Sequence, residues 1–391
     1  MSTNKEFDIV IYGATGFTGR LVAEYLVKQY SKDNSLKWAM AGRSAAKLAQ
    51  VRDEINAPED TPLVIADADD IDTIQAMLQR TKLVLTTVGP YQVYGSELVA
   101  MCAKSGVDYV DLCGEPVWMG EMIALHEKTA KQSGARIVFS CGFDSVPSDL
   151  GVYQLQKLAK QQFGHVMSTI RCRVKKMKGT FSGGTAASFK ETLTAAKKDP
   201  VKMEALLNPF SLTPGYTGAN QPIGNKPFYE EDLNTWVTPF VMAVINTRNV
   251  HRSNFLLNKA YGEAFTYDEM FMTGPGEKGE AVANAMANDK SMGGDSGPKP
   301  GEGPSKEERE AGFYELLYVG TDAFGNEIKL SVKGDKDPGY GSTSKIIAEA
   351  AICLVQDATA TPGGIWTTAP AMGDILTKRL ERNAGLSFTQ E

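Results

Sequence analysis

Apolar residues in the first third of the chain alternate between short unbroken runs and spaced stripes. Phe7 to Tyr12 is a run rich in Ile and Val, broken only by Asp8, the pattern of a strand buried on both faces of a parallel sheet. Leu21, Val22, Tyr25 and Leu26 then recur at helical spacing. The same succession repeats. KWAMA (37–41), LVIAD (63–67), LVLTTVGP (83–90), DYVDL (108–112) and RIVFS (136–140) read as the second to sixth strands. GSELVAMCAKSG (95–106) and MGEMIALHEKTAKQSG (119–134) read as helices between them, the latter stopping at Gly134. Strand and helix in alternation predict an α/β fold with an N-terminal doubly wound parallel sheet.

The pattern changes beyond about residue 165. STIRCRVKKM (168–177) alternates as a strand does, and FSGGTAASF (181–189) is a small-residue turn leading into the helix KETLTAAKK (190–198). FYELLYVGTDAFGNEIKLSVKG (313–334) reads as an antiparallel hairpin turning at Phe324 to Asn326. These pieces predict a second, mixed α+β sheet. Between them, residues 274–312 are polar apart from a short alanine-rich stretch, and are read as either a mobile lid or a disordered insertion.

Between the first strand and its helix, Gly13, Gly16 and Gly19 form GxxGxxG, a relative of the dinucleotide fingerprint in the strand–turn–helix context that motif demands. Glycine lets the backbone approach a pyrophosphate, and the helix beyond, with Thr15, Phe17 and Thr18 at its start, offers unpaired N–H groups and a favourable dipole. An NAD site places a carboxylate at the end of the second strand to bond the ribose 2′-hydroxyl. Here Gly42 stands there, followed by Arg43, Ser44 and Lys47, a set suited to a 2′-phosphate. NADP(H) is therefore expected over NAD(H). Asp67, Asp69 and Asp70 follow the third strand, and a carboxylate here is read as an adenine contact, with Asp67 the candidate, or as the cap of the helix beginning near Ile71, the cap being favoured. Gly89 and Pro90, after the fourth strand, form a rigid turn near the expected pyrophosphate and nicotinamide ribose.

Ligands in such sheets bind beyond the carboxyl ends of the strands. Proton-donor candidates are therefore Tyr91, Glu115 and Asp144, which follow the fourth, fifth and sixth strands. Each is equally readable as a cap or turn former. The segment NTRNVHRSN gathers Arg248, His251 and Arg252, and Arg252 is a candidate for a substrate carboxylate, thioester oxygen or carrier phosphate; a surface loop or strand is the alternative. Thr185, in the glycine turn, is a candidate substrate contact.

Composition narrows the class. The 391 residues suffice for two domains, and a net charge of −6 with an ordinary charged fraction argues against a nucleic-acid partner. Five cysteines without a CxxC pair argue against a zinc ribbon or disulfide framework and favour a reducing, cytoplasmic setting. Cys113 and Cys141 read as buried fillers. Three histidines without ligand spacing argue against a metal. No apolar run approaches the ~20 residues of a membrane span, which leaves peripheral membrane contact open.

Taken together, GATGFTG, AGR with Lys47 and Leu48, VGPY with Gly95, YVDLCGE, CGFDSVPSDLG, GGT with Ser188, HRSN, DPGYGSTSK and TPGGIWTTAPAMGD resemble the saccharopine dehydrogenase-like oxidoreductases, and within them the trans-acting enoyl reductase branch. The strings run from residue 13 to 374. The resemblance implies a Rossmann domain with an inserted sheet domain. Residues 1–150 would bind the dinucleotide, completed by 340–391, with GSTSKIIAEAAICLVQ packing back on the first domain. Residues 151–339 would bind substrate and dimerise. It also implies an NADP(H)-dependent oxidoreductase, a homodimer, acting on a small apolar or carrier-linked molecule, with enoyl reduction of a lipid or polyketide intermediate first. The alternatives are saccharopine-like carbon–nitrogen chemistry and a non-catalytic NADP(H) sensor or lipid-associated scaffold.

Overall fold

The computed structural model describes residues 5–30, 35–179, 191–192, 194, 196–289 and 303–391. Its strands are β1 (Phe7–Tyr12), β2 (Trp38–Gly42), β3 (Leu63–Ile65), β4 (Thr81–Thr86), β5 (Asp108–Val110), β6 (Arg136–Val138), β7 (Thr169–Lys178), β8 (Phe228–Glu230), β9 (Thr235–Pro239), β10 (Thr266–Gly274), β11 (Phe313–Thr321), β12 (Glu327–Gly334), β13 (Gly364–Trp366) and β14 (Leu386–Gln390). They form two seven-stranded sheets.

The first sheet has the order β13-β6-β5-β4-β1-β2-β3, with every neighbouring pair parallel. Every residue of β1 is buried, because helices cover both faces. Ile9 and Ile11 point into one core with Val22 and Leu26 of the helix Phe17–Tyr30 and Ile346 and Ile347 of the helix Thr343–Ile352. Val10 and Tyr12 point into the other, with Leu98, Val99 and Trp118. Strand period two thus persists inside an unbroken apolar run. The helices Ser96–Ser105 and Pro116–Ser133 end at Gly106 and Gly134, both left-handed, with the cap N–H returned to the carbonyl four residues back.

The second sheet has the order β14-β12-β11-β7-β10-β9-β8 and is antiparallel apart from the β7–β10 pair. Asp322 shapes the β11–β12 turn, its Oδ1 accepting from the N–H groups of Phe324 and Asn326. The C-terminal segment serves both sheets. β13 extends the first sheet beyond β6, whereas β14 pairs with β12.

Two sequence expectations change. Within 274–312, the helix Gly276–Ala287 packs on β9 and β10, and a shorter one, Lys306–Glu310, starts at a Ser305–Glu308 capping box. Its docking residues are Gly279 and Ala283, whose carbonyls accept from Thr273 and Thr238; residues this small leave almost no apolar signal. The remainder, 290–302, lies outside the described residues, as do the FSGGTAASF turn and Thr185 within it. NTRNVHRSN is neither loop nor strand but part of the buried helix Ala243–Leu256. Among the described residues no helix is long and apolar enough to cross a membrane.

Candidate functional site

A cleft of about 890 Å³ opens beyond the carboxyl ends of the first sheet. Gly42, the last residue of β2, and Gly13, Gly89, Gly114 and Gly142, from the turns after β1, β4, β5 and β6, line its sheet side. The facing wall is apolar: Met177 at the end of β7, Leu206 and Leu207 at the end of the helix Pro200–Leu207, and Phe240 to Met242 with Val244 and Ile245 at the start of the helix Ala243–Leu256.

The three fingerprint glycines have separate duties. Gly13 adopts φ +92°, and a Cβ there would lie 2.8 Å from Val88 Cγ2. Gly16 donates to the Gly13 carbonyl at 2.9 Å and leaves its own Cα exposed to the cleft. At Gly19 a Cβ would meet the backbone of Gly13, so helix and strand touch there. Thr15, Phe17 and Thr18 also line the cleft, beside a helix N-terminus whose first N–H groups lack intrahelical partners. A pocket that only glycine permits, at a positive helix end, fits a pyrophosphate.

At the tip of β2, Gly42 and Arg43 line the cleft. Ser44 is occupied as the cap of the helix Ala45–Glu54, accepting from Lys47 N at 3.3 Å, and Lys47 itself is exposed on that helix outside the cleft wall. Arg43 is therefore the cation of the trio that borders the cleft. Of the three carboxylates after β3, Asp70 caps the helix Ile71–Arg80, accepting from Asp72 N. Asp67 lines the cleft, held by an N–H from Asp69. Burial and the charges of Asp67 and Asp69 push the Tyr12 phenol up to about 12. Gly89 lines the cleft, while Pro90 precedes the short helix Tyr91–Tyr94 as its cap residue.

The three proton-donor candidates separate clearly. Tyr91 borders the cleft, but its hydroxyl donates to the Thr86 carbonyl at 3.4 Å and accepts from Leu112 N at 3.1 Å, and burial raises the phenol well above its ordinary value. Its proton faces the protein. Glu115 is 1% exposed, and its two oxygens accept from Tyr91 N and Gln92 N, each at 2.9 Å. That carboxylate is an anchor for the turn after β4, which corrects its candidacy as an acid. Asp144 lines the cleft, and its Oδ1 has no partner among the described residues. Burial, reinforced by the charge of Glu269, pushes its carboxyl up to about 7. Glu269 is itself buried, accepting from Asn246 and from the Tyr267 hydroxyl.

Arg252 is likewise corrected. It is 2% exposed, and its guanidinium donates to the carbonyls of Leu212 at 2.7 Å and Ile365 at 2.6 Å and meets Glu127 at 3.2 Å. It braces a loop, β13 and the helix Pro116–Ser133 away from the cleft. Arg248 holds the carbonyls of Val244 and Leu206. His251 lies between Phe210 and Phe265, its imidazole lowered to about 3 by burial and by Arg248. Sequence reasoning missed two features. The apolar wall comes from separate segments with no shared periodicity. Tyr340, a cleft residue 3% exposed, sits in the visible turn DPGYGSTSK.

Residues 9–138 match the family model described as the saccharopine dehydrogenase NADP binding domain. The chain is 41% identical over 415 residues to a putative trans-acting enoyl reductase of Mycobacterium tuberculosis, covering 99% of this chain and 98% of that one. It is 36% identical to a trans-acting enoyl reductase of Mycobacterium ulcerans, over 97% and 96% of the two chains. Among solved structures it is similar in fold to the L-Glu-forming saccharopine dehydrogenase of Saccharomyces cerevisiae, with TM-score 0.57, 10% identity and coverage of 98% and 99%. The homospermidine synthase of Legionella pneumophila shares the fold at TM-score 0.56, 11% identity and coverage of 98% and 92%. The order of the first sheet, the glycine cradle with Arg43 beside it, and these full-length likenesses agree: the chain is an NADP-dependent oxidoreductase and belongs to the trans-acting enoyl reductase family, on the saccharopine dehydrogenase-like fold.

Proposed function

We propose that the chain uses NADPH to reduce the carbon–carbon double bond of an α,β-unsaturated acyl substrate of lipid or polyketide type. The observation that carries this reading is the Asp144 carboxyl, unpartnered at Oδ1 on a cleft that also has an apolar lining. The names of the full-length relatives support the same chemistry.

When bound, the dinucleotide would supply the hydride that the β-carbon needs. The chain's own residues do the rest. Gly13 and Gly16 would receive the pyrophosphate, Gly19 lets the helix approach close enough to form that pocket, and Arg43 would pair with the 2′-phosphate. Phe240, Met242, Val244 and Leu206 hold the alkyl part of the substrate and exclude water. Asp144, held partly protonated near neutrality, gives its proton to the α-carbon, and the carboxylate left behind regains a proton from solvent. In this reading residues 1–150 with 340–391 serve the cofactor and 151–339 the substrate. It includes a cytoplasmic homodimer. The five cysteines, all buried and unpaired, support a reducing compartment, and light scattering tests the dimer.

The test is Asp144→Asn, assayed with NADPH and an enoyl thioester. Loss of a general acid costs about 10²- to 10⁴-fold in kcat, while NADPH affinity stays at the parent value. A variant with undiminished kcat refutes the assignment.

A further inference from the structure

Tyr340 lies where the chain crosses from the second sheet back to the first, between β12 and the helix Thr343–Ile352. It lines the cleft and is 3% exposed, yet its hydroxyl has no hydrogen-bond partner among the described residues. A buried phenol normally finds one. Here the surroundings are built with care. Asp337, 1% exposed, accepts from Tyr340 N at 2.9 Å and Gly341 N at 2.7 Å and so locks the turn. Thr343 donates to the Pro338 carbonyl and accepts from Phe143 N at 2.9 Å, tying the same turn to the residue before Asp144. The turn is tied on both sides, and among the described residues its buried side-chain polar atom without a partner is the Tyr340 hydroxyl.

The neighbour of the ring identifies what it serves. Its centroid lies 4.9 Å from that of Phe17, edge to face at 88°. Phe17 opens the helix whose N-terminus forms the glycine cradle. Arg309 sits over the other ring's surroundings, 5.6 Å from the Phe17 centroid, so the second half of the chain grips the cradle at this residue. A phenol placed beside a helix N-terminus, on a glycine-lined wall, meets whatever anion that N-terminus receives.

We propose that the Tyr340 hydroxyl donates a hydrogen bond to an oxygen of the dinucleotide's diphosphate bridge, closing the glycine cradle beside Phe17. Tyr340 is thus a cofactor-binding residue. The inference rests on the NADP(H) reading of the cleft but is independent of which bond the enzyme reduces.

Tyr340→Phe removes only the oxygen. The variant and its parent are titrated by fluorescence with NADPH, and by calorimetry with 2′-phospho-ADP-ribose, which keeps the diphosphate but lacks nicotinamide, and with adenosine 2′-monophosphate, which keeps the 2′-phosphate and lacks both phosphates of the bridge. Ligand-free melting is recorded in parallel. The expected result is a loss of about 10-fold or more for the first two ligands, as for a charge-assisted hydrogen bond, no change for adenosine 2′-monophosphate, and an unchanged or higher ligand-free Tm, because the lost hydroxyl had no partner to leave behind. Unchanged NADPH affinity overturns the proposal. So does a loss confined to NADPH, which moves the contact to the nicotinamide end, or a lowered ligand-free Tm, which makes the hydroxyl structural. Failure of the parent to bind NADPH at all instead strikes the cofactor reading itself.

Discussion

Replacing Gly19 by alanine tests the cradle at its tightest point. The added Cβ would sit 2.8 Å from the Gly13 carbonyl carbon, nearer still to its oxygen, and 2.9 Å from Thr87 Oγ1. Non-bonded carbons prefer about 3.5–4.0 Å, so the helix Phe17–Tyr30 must retreat from β1 by more than about half an ångström. The obstacle is backbone and cannot rotate aside. Overpacking of this kind costs about 1–3 kcal/mol, and a rigid obstacle puts Gly19→Ala near the upper figure. With about 2.1 cal/mol/K of unfolding entropy per residue over 391 residues, roughly 0.8 kcal/mol/K in all, that cost lowers Tm by about 3–4 °C. The same retreat widens the pyrophosphate pocket, and NADPH affinity should fall at least about 10-fold. Differential scanning fluorimetry and an NADPH titration read the two effects. Gly114→Ala is the control for stability, because a Cβ there meets nothing within 4 Å. A Gly19→Ala protein that melts and binds like the parent would refute the close-packing argument.

The remaining expectations follow from single contacts. Arg43→Ala should weaken NADPH by about 10-fold or more and leave NADH unchanged, since Arg43 is the cation at the β2 tip that borders the cleft; equal effects on both nucleotides, read by fluorescence titration, would remove it from the 2′-phosphate site. Arg252→Ala should destabilise the fold by about 3 kcal/mol by stranding two buried carbonyls, seen as a lower denaturation midpoint, while substrate KM holds; a raised KM at parental stability would restore its substrate role. For pH, the carboxyl of Asp144 is raised from 3.8 to about 7 in the native state. Between those values the native protein keeps a proton that the unfolded chain has released, so this group makes stability fall as pH rises, by up to about 1.4 kcal/mol per pH unit. Denaturant melts at pH 5 and pH 7.5 should therefore show Asp144→Asn gaining on the parent at the higher pH, and parallel curves would contradict the shift.

Much of the cofactor half was legible because its determinants are local. A parallel strand covered on both faces must be an apolar run, as Phe7–Tyr12 is. A backbone that approaches a pyrophosphate and a helix that touches its strand must carry glycine, as at Gly13, Gly16 and Gly19. The absence of a carboxylate at Gly42, with Arg43 following, is likewise a statement about adjacent residues. Tertiary structure decided what depends on partners far along the chain. Glu115 could not be told from an acid until its oxygens met Tyr91 N and Gln92 N, nor Arg252 from a substrate ligand until it met the carbonyls of Leu212 and Ile365. The helix Gly276–Ala287 docks through Gly279 and Ala283, so close approach replaced the apolar stripe that periodicity detects. By sequence Asp144 is one of three strand-end candidates with nothing to separate them, and Tyr340 an ordinary turn residue. Only burial without a partner, a property of the packed molecule, marks them as groups awaiting a ligand.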